Sequence, residues 1–260
     1  MFPFFLDIME YGICNLAIVP LRAGATHRSE MVSQVLFGET FEVLERAGEW
    51  ARVITSFDGY EGWINHLQFT HAAPEVVLHQ FAALTITTNA VLTPARKEAD
   101  NSVLNLPFGS SLPLYDGIKC TAGGDDYEVN QPEDTSGLLQ TAHSFLNTPY
   151  LWGGRTHFGV DCSGYVQAVM RTRGVTLKRD ASMQAGQGNV VDFLQEAQLG
   201  DLAFFDNAEG RIIHVGIMLD NQNIIHASGR VKIDQIDDQG IYSAEQKKYT
   251  HQLRIIKRFL

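Results

Sequence analysis

The sequence predicts two small all-β barrels followed by an α+β domain. Short alternating apolar stretches separated by glycines fill residues 12–70, and a weaker version of the same pattern follows Pro74. From about residue 131, helical periodicity comes first and strand-like runs come after it, which is typical of an α+β domain. The predicted domains are therefore 1–73, 74–130 and 131–260.

The first predicted barrel rests on four strand-like stretches, each bounded by turn-forming residues. They lie at residues 35–37, 41–44, 50–54 and 62–64.

The second predicted barrel is degenerate. Its strands are expected at 84–92, 102–104 and 108–115. The segments VSQVLFGETFEVLE and DNSVLNLPFGSSLPLYD align as a small polar residue, a Val-Leu pair, a glycine and an alternating apolar run. This alignment indicates an internal repeat.

The third domain begins after residues 123–134, a polar and turn-rich stretch that we interpret as a linker. Thr135 or Ser136 is expected to cap a first helix that ends before Pro149. Its predicted apolar face contains Leu138, Leu139, Ala142, Phe145 and Leu146.

A second helix is expected directly after Asp161, with Val166, Val169 and Met170 on one face. Strands are then predicted at 202–205, 215–219 and 224–227, and residues 220–223 are expected to form a hairpin turn between the last two.

Composition excludes several classes of protein. Twenty Lys and Arg against 30 Asp and Glu give a formal charge of −10, so nucleic acid and anionic membranes are not expected partners. No stretch approaches the roughly 18 apolar residues of a membrane span. Three widely spaced cysteines favour a reducing compartment over a disulfide framework.

The first 21 residues contain no Lys or Arg, and Asp7 and Glu10 interrupt their apolar run. We therefore expect no secretory signal peptide and a cytoplasmic protein. The alternative is a periplasmic or secreted protein whose leader has been removed. A monomer without cofactor or metal is expected.

Cys162 is the candidate nucleophile. A glycine-rich loop precedes it and the predicted second helix begins at it, so the helix dipole is expected to lower the pKa of the thiol. The alternative is a buried structural cysteine. Its polar neighbours Asp161 and Ser163 make burial less expected than usual.

His214 and His226 lie on opposite arms of the predicted hairpin. If Gly216 pairs with His226, the two imidazoles are diagonal neighbours on one face, and one can orient the other. A structural role for either histidine is the alternative. His157 and Asp161 could suggest a metal site, but no further ligand follows at a suitable spacing.

The segments TPYLWGGRTHFGVDCSGYVQ, LGDLAFFD, HVGIML and IIHAS appear in an order that resembles the NlpC-type family of bacterial cell-wall cysteine peptidases. This resemblance covers about the last half of the chain and implies a papain-like fold for the catalytic domain. It also implies Cys162 as nucleophile, His214 as general base, His226 as the residue that orients His214, and Tyr150 as an aid to the oxyanion.

The two β-modules resemble bacterial SH3-like domains, the first through GYEGWI. Together with the catalytic domain they are similar to γ-D-glutamyl-L-diamino acid endopeptidases that recycle murein peptides. In that subgroup the first module walls the cleft, and recognition of a free N-terminal L-Ala is implied for Asp180, Tyr60 and Glu39, with Glu61 as the alternative carboxylate. A carboxylate there is expected because an unpaired buried ammonium is costly. Ala181 stands where the subgroup often has serine.

Trp152, Asp161 and Ser163 are also predicted to contact substrate, although a tryptophan before two glycines is equally a packing anchor. The alternatives to a recycling enzyme are a secreted hydrolase of intact wall, a catalytically silent wall-binding module and a papain-like acyl transferase.

Overall fold

A computed structural model of the protein describes residues 9–82, 86–131 and 136–260, with no side chains described at 79–82. The chain divides into two compact units, Met1–Pro132 and Glu133–Leu260.

The first unit opens with a seven-stranded antiparallel sheet. Its strands are β1 (Glu10–Ile13), β2 (Ile18–Arg22), β3 (Met31–Leu36), β4 (Thr40–Ala47), β5 (Trp50–Thr55), β6 (Glu61–Asn65) and β7 (Thr70–His71). They lie in the order β3-β2-β6-β5-β4-β1-β7. The four strands predicted for this region are confirmed as β3 to β6. Alternate side chains such as Val19 and Leu21 on β2 and Ala51 and Val53 on β5 are buried in one cluster, as half-buried strands require.

A helix, α1 (Pro74–Ala82), follows in a stretch for which the sequence predicted no element. Proline suits the first helical position because a backbone N–H there would have no acceptor within the helix, so its absence costs nothing. Val76 and Val77 are buried against the neighbouring sheet core. The weak β-pattern after Pro74 did not indicate this helix.

The second sheet contains β8 (Leu92–Lys97), β9 (Val103–Pro107), β10 (Lys119–Ala122) and β11 (Asp125–Val129), in the order β10-β11-β8-β9. The strand predicted at 84–92 is wrong over 86–91, where only an isolated bridge joins Thr87 to Ser111. Residues 83–85 lie outside the described part of the chain. The strand predicted at 108–115 is also wrong apart from that bridge. The second copy of the proposed repeat therefore has the first strand, as β9, and the glycine turn, but it has no strand after the turn.

The predicted linker is in part a β-hairpin. Gly123 and Gly124 have φ of +64° and +83° and form the tight turn between β10 and β11. Two consecutive positive φ values are typical of a two-residue hairpin turn. Glycines favour loops and also adopt positive φ readily, so the same pair fits a tight turn. Residues 132–134 of the predicted linker lie outside the described residues.

The two sheets of the first unit share one core. Ile13 of the first sheet and Phe37, which directly follows β3, pack with Leu106 and Tyr127 of the second sheet. The Phe37 and Tyr127 rings meet edge to face at 5.0 Å. The two predicted modules therefore bury their apolar faces together.

The second unit contains three helices, α2 (Leu138–Ser144), α3 (Cys162–Arg171) and α4 (Ala181–Gln184). The N-cap of α2 is Gly137, so Ser136 is not the cap, and Thr135 lies outside the described residues. Leu139 and Leu146 are exposed, and only part of the predicted apolar face of α2 is buried.

A two-stranded ribbon, β12 (Arg155–Thr156) and β13 (Gly159–Val160), precedes α3. The main sheet follows α4 with the strands β14 (Asn189–Val191), β15 (Leu202–Asp206), β16 (Ile212–Met218), β17 (Asn223–Ser228), β18 (Arg230–Asp237), β19 (Gly240–Ser243) and β20 (Lys248–Arg258). The three predicted strands are confirmed as β15, β16 and β17.

This sheet closes on itself, since β19 pairs with both β18 and β20 and β20 returns to β15. The result is a six-strand barrel. Phe205, Met218, Ile224 and Ile236 form part of its apolar core. Helix α3 packs against β16 and β17, which brings its N-terminus to the start of β16.

Among the helices in the described residues, none has the length and apolar character needed to cross a membrane.

Candidate active site

Asp161 positions the N-terminus of α3. As the N-cap it accepts hydrogen bonds from the backbone N–H of Gly164 at 2.7 Å and of Gly153 at 2.8 Å. A side chain on Gly164 would place its Cβ 2.2 Å from the carbonyl oxygen of Gly154. The glycines therefore allow the loop to lie directly against the first turn of the helix.

Cys162 occupies the first position of α3 and is only 6% exposed. The expectation of an exposed thiol is wrong, because Asp161 and Ser163 are themselves buried by hydrogen bonds inside the protein. The N–H of Val215, the residue after His214, donates a hydrogen bond to the sulfur. This contact places the thiol beside the start of β16.

Burial raises the pKa of the Cys162 thiol to about 12, and the Asp161 carboxylate adds to this. The backbone N–H groups of Val215 and Ser163 and the charge of Arg179 act in the opposite direction. The predicted lowering of the pKa at the helix N-terminus is therefore wrong, because desolvation outweighs the helix end.

Arg179, which sequence reasoning did not single out, is 1% exposed and pairs with both oxygens of Asp161, at 3.0 and 2.5 Å. It also donates to Ser163 Oγ at 2.8 Å. Both side chains have internal partners, and the predicted contacts of Asp161 and Ser163 with substrate stay predictions. The two side chains hold the α3 N-terminus in place. The only signal for Arg179 was its position next to Asp180.

His214 and His226 meet as the hairpin register predicted. Gly216 pairs with His226, which places the two imidazoles diagonally on one face. His214 Nε2 lies 2.8 Å from His226 Nδ1, and both rings are buried. A Cβ on Gly216 would lie 2.9 Å from that of His226, so the glycine leaves the space in which the rings meet.

Burial lowers the pKa of His214 well below its ordinary value, and the neighbouring His226 and His251 lower it further. The His251 ring stacks on His214 with centroids 4.1 Å apart, and burial lowers its own pKa to about 4. His214 is therefore a neutral imidazole and a proton acceptor across the physiological range. Sequence reasoning missed His251 because it enters from β20, far along the chain.

Two charged residues of β18 complete the cluster. His226 Nε2 lies 3.1 Å from Asp234 Oδ2, and Lys232 Nζ lies 3.2 Å from the same oxygen. Both side chains are largely buried. Burial acts to raise the pKa of Asp234, but the hydrogen bonds from His226 and Lys232 outweigh it, so this pKa lies below its ordinary value.

Tyr150 is 37% exposed, and its pKa is raised by burial and by the nearby Cys162 and Asp161. It therefore lies in the electrostatic environment of the thiol. Its role as an oxyanion donor stays a prediction. Asp180 caps α4 with its backbone in an extended conformation and is half-buried. Trp152 is 58% exposed.

The three residues predicted to select the substrate amine from the first module all lie at the ends of β-strands. Tyr60 is half-buried and packs on the core of the first sheet. Glu39 is 2% exposed, and one of its oxygens accepts a hydrogen bond from the N–H of Leu36 at 2.9 Å. Glu61 is exposed and pairs with Arg52 at 3.2 Å.

Within the described residues, His214, His226 and His251 form the cluster whose composition could hold a metal ion. Its geometry does not suit one. The His214 and His251 rings are nearly parallel, at 25°, whereas a metal must lie in the plane of each ring. The 2.8 Å separation of His214 Nε2 and His226 Nδ1 is that of a hydrogen bond.

A buried cysteine at a helix N-terminus, beside a histidine oriented by a second polar residue, defines a cysteine peptidase. The sequence profile of the NlpC/P60 family matches residues 147–254, and that of the bacterial dipeptidyl-peptidase SH3 domain matches residues 21–68. The chain belongs to the NlpC/P60 family, with an SH3 domain of this type at its N-terminus.

Two curated relatives carry related names. The chain is 32% identical to a γ-D-glutamyl-L-lysine dipeptidyl-peptidase of Bacillus subtilis over 79% of this chain and 75% of the relative. It is 26% identical to dipeptidyl-peptidase 6 of Lysinibacillus sphaericus over 81% and 86%. A solved NlpC/P60 family protein from Bacillus cereus superposes with a TM-score of 0.77 at 20% identity, covering 96% of this chain and 99% of that one, and so shares its fold.

Proposed function

We propose that this protein hydrolyses the bond between γ-D-glutamate and the diamino acid, meso-diaminopimelate or lysine, in murein peptides that carry a free N-terminal L-Ala. The proposal is supported above all by the Cys162–His214–His226 cluster in a chain whose relatives are dipeptidyl-peptidases acting at γ-D-glutamyl-L-lysine. The SH3 domain of the dipeptidyl-peptidase type adds to this support.

In the proposed mechanism, Cys162 Sγ attacks the γ-carbonyl carbon while His214 accepts the thiol proton. Collapse of the tetrahedral intermediate breaks the C–N bond, and the imidazolium returns its proton to the leaving amine. A thioester remains on Cys162. Water, deprotonated by His214, then attacks the thioester, releases L-Ala-γ-D-Glu and restores the thiol.

A neutral thiol beside a neutral imidazole makes this a general-base mechanism rather than attack by a preformed thiolate. The raised pKa of Cys162 and the lowered pKa of His214 support that reading. Tyr150 and the N–H groups at the start of α3 are the proposed donors to the oxyanion.

Asp180 is the proposed partner of the substrate ammonium within the catalytic domain. Contacts of Tyr60 and Glu39 with substrate stay predictions, as do contact of Trp152 with substrate, the cytoplasmic location, the monomeric state and the role in murein recycling. We also propose that the catalytic domain is papain-like and that the four-stranded sheet β8–β11 is a reduced SH3-like module.

Three peptides test the proposed substrate. L-Ala-γ-D-Glu-L-Lys, or its meso-diaminopimelate form, is expected to be cleaved to L-Ala-γ-D-Glu and the free diamino acid. The N-acetylated peptide is expected to lose at least about 100-fold in kcat/KM, because a site that pairs a buried charge rejects its neutral analogue. The α-linked isomer is the matched control for the isopeptide bond. Equal cleavage of the free and acetylated peptides, or release of peptides from intact wall, would contradict the proposal.

A further inference from the structure

Four polar side chains follow one another across three adjacent strands of the barrel. Gly216 on β16 pairs with His226 on β17, and His226 pairs in turn with Lys232 on β18. His214 and Asp234 each lie two residues from these pairs, so strand alternation places all the side chains on one face. That face also carries Met218, Ile224 and Ile236 of the apolar core.

The hydrogen bonds in this row run in one direction. His214 Nε2 contacts His226 Nδ1 at 2.8 Å, and His226 Nε2 contacts Asp234 Oδ2 at 3.1 Å. His214, His226 and Asp234 are 5%, 0% and 9% exposed, so water does not complete these contacts from bulk solvent. Lys232 is the fourth member, and its Nζ lies 3.2 Å from the same Oδ2 atom of Asp234.

The carboxylate at the end of the row decides where each proton lies. An ionised carboxylate only accepts hydrogen bonds, so His226 must carry its proton on Nε2. A neutral His226 then has a lone pair on Nδ1 and can only accept from His214. His214 must in turn carry its proton on Nε2, which leaves Nδ1 as its one basic atom.

We propose that Asp234, anchored by Lys232, is a positioning residue that fixes the tautomers of His226 and His214 and thereby makes Nδ1 of His214 the atom that accepts the thiol proton. The catalytic part of this inference rests on the proposed function. The tautomer assignment does not, because it concerns the protein without substrate. Asp234 also stabilises the positive charge on His214 through His226 when the thiol proton has moved.

The charged and titratable groups around this row come from several elements. Lys232 and Asp234 belong to β18, Glu245 lies 3.7 Å from Lys232, and His251 of β20 stacks on His214. Helix α3 contributes Cys162, with Asp161 before it. A substitution of Asp234 leaves these other groups unchanged.

The variant Asp234→Leu tests the role of this carboxylate. His226 Nε2 and Lys232 Nζ both contact the same oxygen, Oδ2, and leucine removes it. The proton on Nε2 of His226 then has no acceptor, so the tautomers of His226 and His214 are no longer fixed. We expect kcat to fall at least about 10-fold with KM changed less than about threefold, because a fraction of the molecules then carries a proton on the base atom. Asp234→Asn keeps an oxygen that can accept from both partners and is expected to keep the tautomers.

The matched control is Asp237→Leu, which changes a carboxylate on the same strand that is exposed and hydrogen-bonds Tyr249. It is expected to keep the kcat of the unaltered protein. Equal loss in both variants would overturn the assignment of Asp234.

Nitrogen-15 spectra of the histidine rings read the tautomers directly and need no turnover. Loss of single resonances in His214→Gln and His226→Gln assigns the two rings. In the unaltered protein, Nε2 of both rings is expected to be protonated and Nδ1 bare, and Asp234→Leu is expected to give a mixture of tautomers. A proton on Nδ1 of His214 in the unaltered protein would overturn the proposal even if Asp234→Leu does not fold. If Asp234→Leu keeps kcat while the Cys162 thiol is essential, the positioning role of Asp234 is wrong and the proposed function stands.

Discussion

At the scale of single residues, the site is governed by burial. Cys162 lies at a helix N-terminus, yet its surroundings raise the pKa of the thiol to about 12. His214 is buried with its pKa lowered well below the ordinary value. Each change favours the neutral form, so we expect the resting site to hold a thiol and an imidazole instead of an ion pair.

The first prediction concerns the charge state of Cys162. From about pH 5 to about pH 8, the unaltered protein and Cys162→Ser are expected to show the same ultraviolet absorbance, with no thiolate contribution from Cys162. The reason is that the pKa of Cys162 lies well above the ordinary 8.5 of a free cysteine. Cys120→Ser, a buried cysteine outside the site, is the control for nonspecific change. A Cys162-dependent absorbance that appears between about pH 4 and pH 6 would instead indicate a thiolate–imidazolium pair.

Residue identity and residue environment were not equally predictable. Cys162, His214 and His226 could be singled out because the N-cap, the strand alternation and the hairpin turn are local patterns. Arg179, Asp234 and His251 could not, because their contacts depend on how distant strands and a loop pack. The pKa directions depend on the same packing.

At the scale of elements, the β16–β17 hairpin sets the histidine pair. Its register was predictable because Asp220 begins the turn and accepts hydrogen bonds from the N–H groups of Gln222 and Asn223. Helix α3 is buried along its whole length from Cys162 to Met170 rather than along one face. It is a central element, and the ion pair of Asp161 with Arg179 fixes its start. Breaking such a buried pair costs about 3–5 kcal/mol.

The second prediction belongs to the hairpin. Gly216→Ala is expected to lower kcat at least about 10-fold and to destabilise the domain by about 1–3 kcal/mol, because the new methyl group would overlap Ile224 and His226. Steady-state kinetics and urea unfolding measure the two effects. Gly137→Ala, where a Cβ meets open space, is the matched control and is expected to keep full kcat. Normal kcat in Gly216→Ala would show that the spacing of the two imidazoles does not depend on this glycine.

At the scale of the whole molecule, the two units differ in how they use buried ionisable groups. The second unit buries His214 and His226, both with lowered pKa, and half-buries His157 and His251, whose pKa values fall to about 4. The first unit builds its core from two sheets that share an apolar cluster. The sequence predicted β3 to β6 of its first sheet and missed β1, β2 and β7. Helix α1 and the β10–β11 hairpin were missed because glycines and prolines mark loops, tight turns and helix starts alike.

The third prediction follows from these histidines. Their native pKa values lie below the ordinary 6.5, so the unfolded chain binds more protons below that pH and stability must fall as the pH falls. His214 and His226 each contribute a slope of about 1.4 kcal/mol per pH unit between about pH 6.5 and their native pKa. His157 and His251 act in the same direction.

Hydrogen exchange at about pH 7.5 and about pH 5.5 in the same concentration of urea measures this effect unit by unit. Strands β15–β20 are expected to lose protection at the lower pH, and the first unit is the internal reference. In His226→Gln, the slope of stability against pH is expected to fall by the contribution of about one bound proton. Equal protection of β15–β20 at both pH values would contradict the inference that these imidazoles are buried in their neutral form.

The central claim is that Cys162 carries covalent catalysis on γ-D-glutamyl peptides, and one comparison tests it most directly. Hydrolysis of L-Ala-γ-D-Glu-L-Lys is measured for the unaltered protein, Cys162→Ala and Cys120→Ala, with thermal unfolding as the check on folding. We predict that Cys162→Ala loses at least about 10⁴-fold in kcat at an unchanged melting temperature, while Cys120→Ala remains active. Full hydrolysis by a folded Cys162→Ala would contradict the account.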